Sequence, residues 1–108
     1  MKKNRVFWTP VAIKSLEETK NFILKHWNGQ VLEYFLDLID KRIEQVQINP
    51  RIAPVIIESD YRKLVIHKNI SLFYITESSL TKILLVWDNR QNPKELKRKL
   101  IDDQSKST

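Results

Sequence analysis

Residues 61–88 read YRKLVIHKNISLFYITESSLTKILLVWD, and this stretch decides the fold because its polarity changes at every second position. Tyr61, Lys63, Val65 and His67 alternate with Arg62, Leu64, Ile66 and Lys68. After a turn at Lys68 and Asn69, Ile70, Leu72, Tyr74 and Thr76 alternate with Ser71, Phe73, Ile75 and Glu77. A period of two puts successive side chains on opposite faces of an extended chain, so both runs are predicted strands. Ser78 and Ser79 break the second run, and a third, rich in branched residues, spans Thr81 to Asp88. Two successive short turns imply an antiparallel meander. Within the third run, Ile83 to Trp87 is apolar throughout, the pattern of a central strand covered on both faces.

Upstream of Val55 the period is 3.6 rather than 2. Leu32, Phe35, Leu36, Ile39, Ile43 and Val46 recur at steps of three and four, with Asp37, Lys41, Arg42 and Glu44 on the remainder, which predicts an amphipathic helix ended by Asn49 and Pro50. A preceding helix opens at Thr9 and Pro10, since threonine accepts from free helical N–H groups and proline lacks only an N–H that would be unpaired there. Its stripe is Ala12, Leu16, Ile23 and Trp27. Asn28 and Gly29, the only glycine, are expected to stop it with a left-handed residue, and the short connection makes an antiparallel helical hairpin. Arg5 to Trp8 reads as a short leading strand. Near the end, Asn92, Pro93 and Glu95 announce a short helix with Leu96 and Leu100 on its apolar edge, and residues 102–108 are polar enough to be expected disordered. The expectation is one α+β domain over 1–101: a strand, a helical hairpin packed on one face of an antiparallel sheet, and a short C-terminal helix.

Composition narrows the function classes. The chain has 108 residues and no cysteine, which excludes disulfides, thiolate metal sites and a cysteine nucleophile. The lysines after Met1 are not followed by an unbroken apolar stretch, and no segment approaches the roughly 18 apolar residues of a membrane span, so the expected location is the cytoplasm. Nineteen Lys and Arg against thirteen Asp and Glu give a net charge of +6, which favours a polyanionic or acidic partner. The acidic residues concentrate in the first half, and the balance turns basic from Arg62 to Lys99. Two histidines with no spaced carboxylate group give no metal site, and no cofactor is expected.

Trp8-Thr9-Pro10 leading into the first helix, Tyr61-Arg62-Lys63, the Ile70–Ile75 strand with its Tyr74, and the run from Trp87 to Pro93 occur in an order and at spacings that resemble the RelE/ParE toxin superfamily across residues 5–101. The resemblance implies the toxin of a bacterial type II toxin–antitoxin pair, with a cognate antitoxin as partner and a toxin–antitoxin hetero-oligomer as the expected assembly. It also implies one of two targets. The RelE-like branch resembles a ribosome-dependent messenger-RNA endonuclease, whose chemistry needs a proton acceptor, cations for the phosphate and a proton donor. Position by position, Arg62 matches the first basic residue of the second strand and Arg90 the arginine after the last strand. Leu64, Ser71 and Leu96 stand where that branch has another basic residue, an arginine, and a tyrosine or histidine. Arginine stabilises anions well and exchanges protons poorly. The resemblance therefore favours the ParE-like branch, which binds DNA gyrase without cutting nucleic acid, over an mRNA interferase or a plain nucleic-acid-binding domain.

The residues carried forward for target or nucleic-acid binding are Arg62, Lys63, Arg90, Lys94, Lys97 and Arg98, and those that could serve catalysis are Arg62, Arg90, Tyr61 and His67. Each has a plainer reading. Arg62 can pair with Glu58 or Asp60, Arg90 can pair with Asp88, and Lys94, Lys97 and Arg98 can form a solvated helix face. His67 can be a surface residue, His26 a charge at a helix C-terminus, and Trp8, Trp27 and Trp87 core or sheet-covering residues.

Overall fold

The computed structural model describes residues 3–56 and 58–88. In chain order these form β1 (Arg5–Trp8), α1 (Pro10–His26), α2 (Gly29–Ile48), β2 (Arg62–His67), β3 (Ile70–Glu77) and β4 (Leu80–Asp88). The short helix expected after Asn92 and the tail from 102 lie outside the described residues.

Thr9 starts α1 as its sequence suggested: the Thr9 hydroxyl oxygen accepts from Ala12 N–H at 3.2 Å and donates to the Ile83 carbonyl at 3.0 Å. One side chain thus caps a helix and ties it to the sheet. The turn between the helices differs from expectation. No glycine has a positive φ, and Gly29 is the first residue of α2. Asn28 makes the turn by capping α2, its side-chain oxygen accepting from Val31 N–H at 2.9 Å. A cap on the following helix satisfies its free N–H groups, so no left-handed residue is needed to end the preceding one.

The sheet order is β1-β4-β3-β2. β2, β3 and β4 form the expected antiparallel meander, and β4 is central, as its apolar run implied. The sheet is not wholly antiparallel, however, because β1 pairs with β4 in parallel, Arg5 opposite Leu80 and Trp8 opposite Ile83. The helical hairpin explains this: it carries the chain away from the end of β1 and back to its beginning. There, Asn4 N–H donates to the Gln47 carbonyl at 2.9 Å and the Gln47 amide donates to the Asn4 carbonyl at 3.0 Å. β2 therefore starts from the same end as β1, and β4, two antiparallel steps later, runs the same way.

The hairpin covers one face of the sheet. Ala12 and Ile23 of α1 and Phe35, Ile39 and Val46 of α2 pack with Leu64, Ile66, Leu72, Tyr74, Ile83 and Val86. On the opposite face, Phe73, Ile75, Leu84, Leu85 and Trp87 form a second cluster with Val11, Ile56 and Tyr61. Leu84 and Leu85 share that face although they are adjacent, because the β3–β4 register shifts between Phe73 and Tyr74. The bulge adds one residue to β4 and restores the alternation for Val86 and Trp87. Trp27 does not join the core: it caps α1 at 55% exposure, whereas Trp87 is buried and Trp8 half-buried. The stripe that should have carried Trp27 inward ends with the helix itself, at His26. Among the described residues, no helix is long and apolar enough to cross a membrane.

Candidate functional site

Strand geometry divides residues 61–63 between the two faces of the sheet, as the alternation from Tyr61 implied. Arg62 has the parity of Leu64 and Ile66, which face the helices, and it stands opposite Tyr74 in the β2–β3 ladder. Its guanidinium donates to the Ala53 carbonyl at 2.6 Å, which fastens the loop after α2 to the start of β2. It forms no ion pair with Glu58 or Asp60 among the described residues. Tyr61 packs on the other cluster, beside Ile56, and Lys63 follows the same parity.

Tyr74 lies between these layers. It is fully buried, and its hydroxyl donates to the Pro50 carbonyl at 2.9 Å. Burial raises its pKa above the ordinary tyrosine value, with the Ala53 backbone and the charges of Arg62 and Arg42 pulling more weakly the other way. A buried phenol held neutral and already donating has no access to a substrate proton, so its hydroxyl is structural. Arg42 is the cation in this region that its sequence setting did not single out. It reaches from α2 to the outer edge of the sheet and donates to the Val65 carbonyl at 3.3 Å. Only the folded arrangement of α2 beside β2 marks it, since in the sequence it is one of several charges on a helix.

His67 ends β2, exposed, with its ring perpendicular to that of Tyr34 at 6.4 Å between centroids. Five residues of extended chain separate it from Arg62, roughly 16 Å at ~3.3 Å per residue, too far to share one reacting group. His26 sits in the last turn of α1 with Nδ1 3.1 Å from the Phe22 carbonyl, its ring stacked on Phe22 at 4.1 Å. Among the described residues, then, Arg62 and Tyr74 come together with Arg42 nearby, while Tyr61, Lys63 and His67 lie elsewhere. Arg90, Lys94, Lys97 and Arg98 lie outside the described residues, and with them the pairing of Arg62 with Arg90 and that of Arg90 with Asp88.

Against known proteins, residues 6–93 match the family described as the ParE toxin of type II toxin–antitoxin systems, parDE. The chain belongs to the ParE toxin family. The order of elements in this ParE-family toxin is shared with a chain of the chromosomal ParDE toxin–antitoxin system from P. aeruginosa, at a TM-score of 0.68 and 13% identity over 80% of this chain and 96% of that one. At that identity the likeness is one of fold. A copper-bound mutant toxin from Helicobacter pylori also matches, at a TM-score of 0.47 and 17% identity over 86% of this chain and 98% of that one. No curated protein matches the sequence of this ParE-family chain. The RelE/ParE resemblance and the α+β fold thus stand, with the ParE-like branch as the family.

Proposed function

We propose that this ParE-family toxin arrests bacterial growth by binding DNA gyrase in the cytoplasm, without cutting nucleic acid, and that a cognate antitoxin neutralises it. The observation that carries this reading is the dispersal, among the described residues, of the groups that could move a proton. Tyr74 is buried and engaged with Pro50, and His67 sits at the far end of β2 from Arg62. Cleavage of RNA needs an acceptor for the 2′-hydroxyl proton and a donor for the leaving oxygen within hydrogen-bond reach of one phosphate. A cation without such partners, such as Lys63, suits binding to an anionic or acidic surface.

The test is regulated expression in a bacterium with and without the product of the adjacent gene, followed by gyrase supercoiling and ribosomal transcript-cleavage assays on purified protein. Growth arrest relieved by the adjacent product, with supercoiling blocked and transcripts intact, is the expected result. Cut transcripts with unaffected supercoiling would replace the reading with that of an mRNA interferase. Unaffected growth, with salt-sensitive binding to nucleic acid, would replace it with that of a plain binding domain.

A further inference from the structure

The only glycine of the chain follows an asparagine, and both residues are exposed at the turn of the helical hairpin. Asn28 caps α2 and Gly29 is its first residue. The Gly29 N–H is one of those that a helix start leaves without an intrahelical partner, and it has no acceptor among the described residues. A Cβ built on Gly29 would meet nothing within 4 Å, so nothing screens this nitrogen from solvent. The side-chain carbonyl oxygen of Asn28 accepts from Val31 N–H at 2.9 Å. A backbone nitrogen free to lose its proton therefore follows directly on an amide carbonyl that a hydrogen bond already polarises. Every other asparagine precedes either a proline, which has no N–H (Asn49 and Asn92), or a residue whose Cβ crowds the nitrogen.

We propose that Asn28 is a site of spontaneous covalent modification in the folded protein, where its side-chain amide is lost through a ring closed by the Gly29 nitrogen. That nitrogen gives its proton to water or hydroxide and bonds to Asn28 Cγ. The Cγ–Nδ2 bond then breaks, ammonia leaves with a proton from solvent, and a five-membered imide ring remains. Water adds to one of the two ring carbonyl carbons, and the C–N bond at that carbon breaks. Opening at Cγ gives aspartate; opening at the backbone carbonyl gives isoaspartate, with the chain running through the former side chain. One amide and one water thus become one carboxylate and one ammonia, and the net charge of +6 falls by one. While Cγ is tetrahedral, negative charge develops on Oδ1, and the Val31 N–H at the positive end of α2 is already aimed at that oxygen. Ring closure turns the Asn28 carbonyl away from Leu32 N–H, which it accepts at 3.2 Å, so the reaction waits on fraying of the first turn and runs more slowly than in the unfolded chain. The two products differ. Aspartate caps as asparagine does and adds a negative charge at the positive end of α2. Isoaspartate adds a backbone atom to the turn and moves the carboxylate off the capping position.

The experiment incubates the folded full chain at mildly alkaline pH in water enriched in heavy oxygen and follows it by peptide mass spectrometry and isoelectric focusing. The expected result is a carboxylate bearing one heavy oxygen at position 28 before any other asparagine reacts, a more acidic species, and a rate that rises with pH because the nitrogen must lose its proton. Gly29→Ala, whose Cβ has room in the fold, should slow the reaction by about tenfold or more, since the added carbon disturbs the approach of the nitrogen. Asn28→Ser keeps a capping oxygen and should abolish it. Circular dichroism of each variant reports that the fold is retained. Asn28→Asp should melt at or above the wild-type temperature, and the isolated isoaspartyl fraction below it. Earlier loss of the amide at another asparagine, or an unchanged rate in Gly29→Ala, overturns the site. A folded chain that keeps Asn28 intact, whether or not the same chain reacts when unfolded in urea, overturns it as well.

Discussion

The Ser15 hydroxyl oxygen accepts the backbone N–H of Val86 at 3.0 Å while its proton is donated to the Ala12 carbonyl at 2.9 Å. β1 ends opposite Ile83, so this side of β4 has no strand beside it at Val86, and a helix side chain takes the place of the missing strand. Ser15→Ala leaves a buried N–H without a partner, which should cost about 1–3 kcal/mol. Urea unfolding of the two proteins measures this. Equal midpoints would show that the Val86 N–H finds another acceptor.

Tyr74 makes stability depend on alkaline pH. Its folded pKa is raised by burial, so between the unfolded value near 10 and the higher folded value the native state holds a proton that the unfolded chain has released. Its contribution is therefore complete below about pH 10 and declines as pH rises toward the folded pKa. Tyr74→Phe should lose about 0.5–1.5 kcal/mol at neutral pH with the Pro50 hydrogen bond, and should destabilise less steeply above pH 10 than the wild type. Denaturation from pH 7 to 11 checks both parts, and parallel curves would sink the second.

Trp27 and Trp87 should differ sharply on truncation. Trp87→Ala opens a cavity in the second cluster and should cost about 3–5 kcal/mol. Trp27→Ala removes an exposed ring whose neighbours are Phe22 and His26 and should stay within about 0.5 kcal/mol. Thermal melts of the two variants would contradict the assignment if their losses were comparable.

Arg62 and Lys63 should separate stability from target binding. Arg62→Ala removes the bond to the Ala53 carbonyl and should lower stability by about 1–2 kcal/mol, with its half-buried setting holding the value below that of a fully buried charged bond. Lys63→Ala should leave stability within about 0.5 kcal/mol and reduce inhibition of supercoiling. Chemical denaturation beside the supercoiling assay distinguishes them; a stable Arg62→Ala protein would mean that the loop holds without it.

Much of the fold was legible because local patterns report local physics. The alternation from Tyr61 onward and the three- and four-residue steps from Leu32 to Val46 placed β2, β3, β4 and α2, and Thr9 and Pro10 placed the start of α1. The candidate site was less legible. Alternation assigned Tyr61 and Lys63 to one face and Arg62 to the other, but it did not show that the carbonyl holding Arg62 lies in the loop after α2. Tyr74 could be read as a strand residue but not as a buried one donating to Pro50.

The sequence by itself determined the element types, the central place of β4, the helix-backed sheet and the basic character of the second half, because periodicity, capping and charge are properties of the chain read in order. Tertiary structure alone decided that β1 runs parallel to β4, that Asn28 rather than Gly29 makes the hairpin turn, that Trp27 stays outside and that Arg42 meets Val65. Those outcomes depend on which end of the sheet the helical hairpin returns the chain to, and on which groups then come within hydrogen-bond reach across long sequence separations.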